Sequence, residues 1–279
     1  WTISICFILL FFFPFCLGET IHVGHNTEQY SSIQQAIRDA SPQESIKVHS
    51  GIYTEPIDLY KSVQLIGESN TILEYNGSDD IISISADNCL VSGFIIQNGE
   101  NKSFSGINIE SDGNIIQNNT IQNNEGNGIY LYHASFNTIK NNTFYNNNIN
   151  IVGSRSDWIS TVISNNSANG FPLLFYKNKQ NVTINNVNAG QIIFANCSYS
   201  TINHSVITNG DQGITLGYSD FNHISNNTLF QNQRGLRLQY SMNNTVSNNV
   251  FEQNSYGLFI THSFDNEIIQ NNMVKNTEY

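Results

Sequence analysis

The sequence predicts an all-β fold, a right-handed parallel β-helix solenoid with a short N-terminal capping helix and a C-terminal end cut within its repeat array. Three observations predict it. First, one strand recurs as Gly106-Ile107-Asn108-Ile109, Gly128-Ile129-Tyr130-Leu131, Gly213-Ile214-Thr215-Leu216, Gly235-Leu236-Arg237-Leu238 and Gly257-Leu258-Phe259-Ile260, with neighbouring copies 22 residues apart. Second, an anchor follows each strand: Asn118, Asn141, Asn165, Asn186, His204, Asn226, Asn248 and Asn271, with Gly93 in the same place earlier. Two positions before each anchor and three after it stand apolar residues, such as Ile116 and Ile121, or Ile224 and Leu229. Third, the connecting pieces (Ser135-Phe136-Asn137-Thr138, Ser241-Met242-Asn243-Asn244) show no helical period. A repeat near this length fits a leucine-rich repeat or a β-helix. Short β-branched pieces between Asn and Gly corners favour flat strands joined by tight bends. Asn suits such corners because it tolerates left-handed backbone angles. Stacked at ~4.8 Å, the anchor amides are expected to chain into a ladder along the axis.

The elements follow in order. Residues 1–18 carry an apolar run, Ile3 to Leu17, ending in Cys16-Leu17-Gly18, which reads as an export signal cut before Glu19. It is short for a membrane span, which needs about 20 residues; an uncleaved anchor is the alternative. Residues 19–92 hold the cap and first coils. Ser31 or Ser32 caps a helix whose Ile33, Ala36, Ile37 and Ala40 share one face, and Pro42 ends it. Short strands follow at Ser45–His49, Gly51–Tyr53, Ile57–Leu59 and Val63–Gly67. Residues 93–279 are expected to run as regular coils. Their phase at Glu278-Tyr279 predicts more coils beyond.

Composition excludes some partners. Acidic residues outnumber basic ones 22 to 11, a net charge of −11, whereas nucleic acid and anionic membranes need clustered Lys and Arg. Nucleic acid is therefore excluded, and membrane contact is expected only through an uncleaved N-terminal segment or a region beyond the C-terminus. Cys89 and Cys197 fall in coils too far apart for a disulfide and are expected to be unpaired.

The runs Tyr30-Ser31-Ser32-Ile33-Gln34-Gln35-Ala36-Ile37, Ile46-Lys47-Val48-His49-Ser50-Gly51-Ile52-Tyr53-Thr54-Glu55 and Lys61-Ser62-Val63-Gln64-Leu65-Ile66-Gly67 resemble the opening of pectin-lyase-like β-helices. The Asn-anchored coils resemble the NosD family and the wider class of carbohydrate-binding and sugar-hydrolase β-helices. The resemblance implies export and, for NosD, an accessory role in loading copper into nitrous oxide reductase. Activity does not follow from such a fold.

Three functions compete. Copper wants Cys, Met and His together, but His133 and His262 stand coils apart, in a column where Tyr218 and Tyr240 suggest an aromatic stack. Met242 and Met273 have no Met neighbour. No metal or other cofactor is expected. Glycoside hydrolysis needs two carboxylates roughly 5–9.5 Å apart. Asp112, Asp220 and Asp265 fall at different offsets from their glycines, and Asp79-Asp80 reads as a solvated turn. Arg234 and Arg237, with Asp211 about a coil away, read as a surface ion pair. The catalytic motifs of polygalacturonases and alginate epimerases are absent, so no catalytic residue is assigned. Binding remains. The outward strand positions form one column of Asn108, Tyr130, Thr215, Arg237 and Phe259 and another of Glu110, Tyr132, Gly217, Gln239 and Thr261, where aromatic rings beside polar groups suit sugars. The candidate ligand-binding residues are Tyr130, Tyr132, Arg237, Gln239 and Phe259. Sequons begin at Asn118, Asn141, Asn165 and Asn226, which are also the expected ladder positions; Asn76, Asn101, Asn181 and Asn243 are the better candidates for glycosylation.

The expected function is an exported, secreted, periplasmic or cell-surface repeat protein that presents an extended face to a polysaccharide or surface glycan without catalysis. The alternatives are a carbohydrate-active enzyme with catalytic coils partly outside the chain, and a NosD-like copper accessory protein.

Overall fold

The computed structural model describes residues 20–24 and 29–278, so the export segment expected at 1–18 lies outside the described residues. The cap forms as its sequence dictates. Ser32 has an extended backbone, its side chain accepts from the Gln35 amide at 3.1 Å, and helix α1 (Ile33–Asp39) buries Ile33, Ala36 and Ile37. Glu55 ties the cap to the first coils, accepting from the Ser32 hydroxyl and the Ile33 amide at 2.7 Å each. One strand was not expected: Ile21–Val23 pairs in parallel with Ser45–Val48. Three residues are too few for a period of two to declare itself.

Each turn of chain stacks in parallel on the last. Ile57–Leu59, Ile82–Ile84, Ile107–Ile109, Ile129–Tyr132 and Ile149–Val152 form one five-stranded sheet, with Ile57, Ile82, Ile107, Ile129 and Ile149 in register. Val91, Ile116, Ile139 and Ile163 form a second buried column on another side. Each such buried side chain contributes ~1.5–3 kcal/mol relative to exposure. Glycine opens the repeated strand because the next coil crowds it. A Cβ on Gly213 would stand 2.4 Å from the Gly235 carbonyl oxygen, and one on Gly235 would stand 2.6 Å from that of Gly257.

The corners split between two adjacent residues what the sequence reading gave to one. Asn118, Asn141, Asn165, Asn186, His204, Asn226 and Asn248 take φ of 50 to 57° with their side chains exposed. The ladder belongs to the residue after them. The amide of Asn119 donates to Asn142 Oδ1 at 3.0 Å and that of Asn142 to Asn166 Oδ1 at 2.9 Å; Asn227, Asn249 and Asn271 repeat the pattern. The side-chain amide of Asn227 in turn donates to the Ile202 carbonyl at 2.9 Å. Similar ladders run at other corners, through Asn222, Asn244 and Asn266 and through Asn232, Asn254 and Asn276. The last coil is therefore shifted by one from the expected alignment. Ile268, not Ile269, registers with Val246, and Gln270 takes the left-handed corner in place of Asn271.

The array expected to run unbroken over 93–279 is divided in two. Ile163 is the partner of Ile139, whereas Ile184 opens a new ladder with Ile202. Helix α2 (Arg155–Ser160), just before Ile163, buries Trp158, and between Ile163 and Ile184 the strand Ser167–Ala168 pairs antiparallel with Phe171–Lys177. The chain turns through Asn169 and Gly170, with φ of 53° and 80°, as a two-residue hairpin requires. Two hydrophobic cores result. One runs from Ile21 to Leu173 and also takes in Ile193 and Ala195; the other runs from Ile184 to Phe251.

Candidate glycan-binding corner

The second stack closes the end of the first. Ile149–Val152 is the last strand of its sheet, and among the described residues backbone strands pair with it only on the Ile129–Tyr132 side. Side chains from successive coils of the second stack take the place of a further strand. Gln191 donates to the Ile149 carbonyl at 2.6 Å and accepts from the Ile149 amide at 3.2 Å. Asn148 does the reverse, bonding the carbonyl and amide of Gln212 at 2.7 and 3.0 Å. Tyr218 donates its hydroxyl to the Gly153 carbonyl at 2.8 Å. Trp158 lies against Gly217, where a Cβ would stand 2.4 Å from the indole. Buried backbone groups must be satisfied, and here amide side chains satisfy them.

Asp211 sits inside this join. Its Oδ2 accepts the amides of Gly128 and Asn148 at 2.9 Å each, and Oδ1 faces Asn147 Nδ2 at 3.4 Å. Burial pushes its carboxyl up to about 7, against the pull of those donors and of nearby Arg234. Asp211 is 6% exposed and no described carboxylate lies within 4.0 Å of Arg234 or Arg237, so the expected surface ion pair is neither at the surface nor a pair. Asp80 is not a solvated turn residue either. It is buried, accepts the Ser105 amide, and burial raises its carboxyl.

A groove of about 520 Å³ opens beside the join. The first stack supplies Asn108, Tyr130 and Asn150, which lie side by side on neighbouring coils. The second supplies Arg234, Arg237 and Phe259. Arg237 is 7% exposed; it donates through Nη1 to Asn150 Oδ1 and, at 3.5 Å, to the Ile151 carbonyl. Arg234 lies over the Phe259 ring, 4.6 Å from its centroid, and donates to Gln233 Oε1 at 3.2 Å. Burial lowers both guanidinium pKa values, that of Arg237 to about 10, with the charge of Arg234 adding to the shift. An adjoining groove of about 550 Å³ shares Lys102, Gln233 and Arg234.

The five sequence-derived candidates thus part company. Tyr130, Arg237 and Phe259 meet in one groove. Tyr132 is 41% exposed and lies edge-on to His133, outside that groove. Gln239 is 4% exposed, so it is not on an open face. The single outward column was in fact two. Asn108 and Tyr130 continue to Asn150, whereas Thr215, Arg237 and Phe259 form a separate column on the second stack. Both columns point out of their own coils, and at the corner the second stack's outward face is buried. Arg234, Asp80 and Asn150 were missed as members of the groove.

The aromatic column at the other corner is a stack, as expected. Tyr218, Tyr240 and His262 lie with centroids 4.9 and 4.6 Å apart and nearly parallel planes. Tyr240 has both faces covered, and Tyr218 and His262 one face each. His133 belongs to the first stack, near Asp157. A soft metal ion does not fit the donors present. Both Cys thiols are buried among backbone carbonyls, Cys89 beside Lys61 and Ala86 and Cys197 beside Tyr176, and burial raises both thiol pKa values. Among the described residues no three His, Cys, Asp or Glu side chains converge on a metal position. Both described cysteines, Cys89 and Cys197, are free.

The fold defines the class: the chain is a right-handed parallel β-helix repeat protein. Residues 57–178 match the family model described as right handed beta helix region, and residues 159–279 match that of NosD, periplasmic copper-binding protein. A cell surface glycoprotein of Methanothermus fervidus is 38% identical over 103 residues, 36% of this chain and 17% of that protein. Among solved structures, the Azotobacter vinelandii mannuronan C-5 epimerase AlgE6 A-module is 14% identical, with 88% of this chain and 90% of that one covered and a TM-score of 0.43. An alginate lyase from Paenibacillus sp. is 13% identical, covering 92% and 98%, with a TM-score of 0.40. No described helix is long and apolar enough to cross a membrane.

Proposed function

We propose that this is an exported, cell-surface or periplasmic β-helix protein that binds a glycan in the corner groove without cleaving it. The observation carrying this reading is the groove itself, where Tyr130 and Phe259 bring rings, and Asn108 and Asn150 bring amides, from both stacks to one place. Rings stack on sugar faces while amides order hydroxyls. The ionisable groups beside it favour holding over chemistry. Asp80 and Asp211 are occupied by backbone amides, and burial raises the Tyr130 phenol, the wrong direction for a base. The apolar run before residue 18 supports export, as do the periplasmic description of the NosD model and the cell-surface relative.

The test is to expose the full chain to a panel of neutral and acidic polysaccharides, measuring retention and released products together. Retention that falls in Tyr130→Ala and Phe259→Ala, with no new reducing ends or unsaturated sugars, is the expected result. Turnover of any polymer would replace this reading with the enzymatic one.

A further inference from the structure

We propose that the corner groove selects glycans by charge: Arg234 and Arg237 form a site for one carboxylate or sulfate group of an acidic sugar. The inference rests on the glycan-binding reading above and adds the ligand's chemistry to it. Buried charges are normally paired, because leaving one unmatched away from water is costly. Arg237 is 93% buried by its 7% exposure, yet its Nε has no partner among the described residues and its Nη1 reaches only an amide oxygen and a carbonyl. Arg234 is also without a carboxylate, its Nε likewise unpartnered and its Nη1 on the amide oxygen of Gln233. This is not for want of acids in a chain with twice as many acidic as basic residues. The nearby carboxylates are turned to other work, Asp211 to the join and Asp80 to the Ser105 amide.

The two guanidiniums therefore line one groove, the charge of Arg234 lowering the pKa of Arg237, and no described carboxylate lies within 4.0 Å of either. A planar or tetrahedral oxyanion answers that arrangement, since guanidinium forks match carboxylate and sulfate oxygens. Tyr130 lines the same groove and offers a ring to the sugar bearing the anion, while Phe259 supports Arg234 from beneath. Because Arg234 and Arg237 belong to the second stack and Tyr130 to the first, the sugar bearing the anion bridges them.

Calorimetric titration of the full chain tests this with three probes: a hyaluronan hexasaccharide, its carboxyl-reduced neutral form, and a chondroitin 6-sulfate hexasaccharide. At least one charged probe is expected to bind roughly tenfold or more tighter than the neutral one, with the advantage shrinking as salt rises. Both charged probes carry glucuronate carboxylates and only the second carries sulfate, so binding of both assigns the carboxylate and binding of the second alone assigns the sulfate. Arg234→Gln should erase the advantage and Arg234→Lys should keep part of it. Arg237→Gln should erase it too, but Arg237 also bonds Asn150 across the join, so Arg234 is the decisive position and thermal melting accompanies both. Equal binding of charged and neutral probes would overturn the charge inference and leave glycan binding standing. Failure of every probe here, together with failure of the polysaccharide panel above, would remove both.

Discussion

The two stacks are built from the same coil but differ in what covers their outward sides. In the first, the strand Ile129–Tyr132 leaves Tyr132 in solvent; in the second, the strands Gln191–Ala195 and Gln212–Gly217 are buried on both faces. The second stack also keeps time better. Its successive coils are 22 residues after one of 18, whereas the first runs through 25, 23 and 24. A repeat that must present both faces to protein tolerates little variation, while one with a wet face can absorb extra residues in its loops. An outward position occupied by Gln, Thr or Arg in such a regular stack thus signals a neighbour rather than water.

Breaking the join should separate the stacks most sharply. Trp158→Ala removes a fully buried indole between them and is expected to cost ~3–5 kcal/mol. Hydrogen exchange should then show Ile149–Val152 opening well before the ladders of the second stack; uniform loss across both would mean that the join is not a separate unit. Within a stack, Asn227→Ala strands the Ser205 amide and the Ile202 carbonyl, at about 1–3 kcal/mol for each buried group left unpaired. Chemical denaturation measures it.

Asp211 gives a pH-dependent contrast. Its folded pKa, about 7, lies above the ordinary value of ~3.9, so the folded chain holds the proton more tightly than the unfolded chain does. Its contribution is fully present below pH ~3.9 and is lost as pH rises through about 7. Melting temperature should fall over that window in the native chain. Asp211→Asn should flatten this component, while Asn227→Ala should leave it in place. The smallest change belongs to the residue beside the ladder. Asn226→Gly keeps the left-handed corner that Asn226 already adopts, with its side chain exposed, and should shift stability by no more than ~1 kcal/mol. A large loss there, equal to that of Asn227→Ala, would sink the division of labour between the two asparagines.

Most of the fold was legible because stacked coils repeat their chemistry. The cap at Ser32, the columns through Ile116 and Ile224, and the left-handed corners from Asn118 to Asn248 all follow from period and residue type. Which asparagine of each pair carries the ladder was not legible, since both are the same residue and only their backbone angles differ. The break was legible and overlooked. Asn-Gly also occurs at 76–77, 98–99, 127–128 and 209–210, so the mark of the break is the apolar run Phe171 to Phe175 that follows Asn169-Gly170 and is unlike the repeat. Missing it merged two columns into one and hid the burial of Gln239. The groove could not be read in advance, because Tyr130 and Arg237 come together only through the angle of that join, which no spacing encodes.

The hairpin at Asn169 and Gly170 also separates two properties that a straight rod would bind together. Coils inserted toward the cap lengthen that limb by ~4.8 Å apiece and leave the groove's walls where they are. Reach and recognition can consequently drift apart over generations, one by duplicating rungs and the other by exchanging a handful of side chains at the elbow.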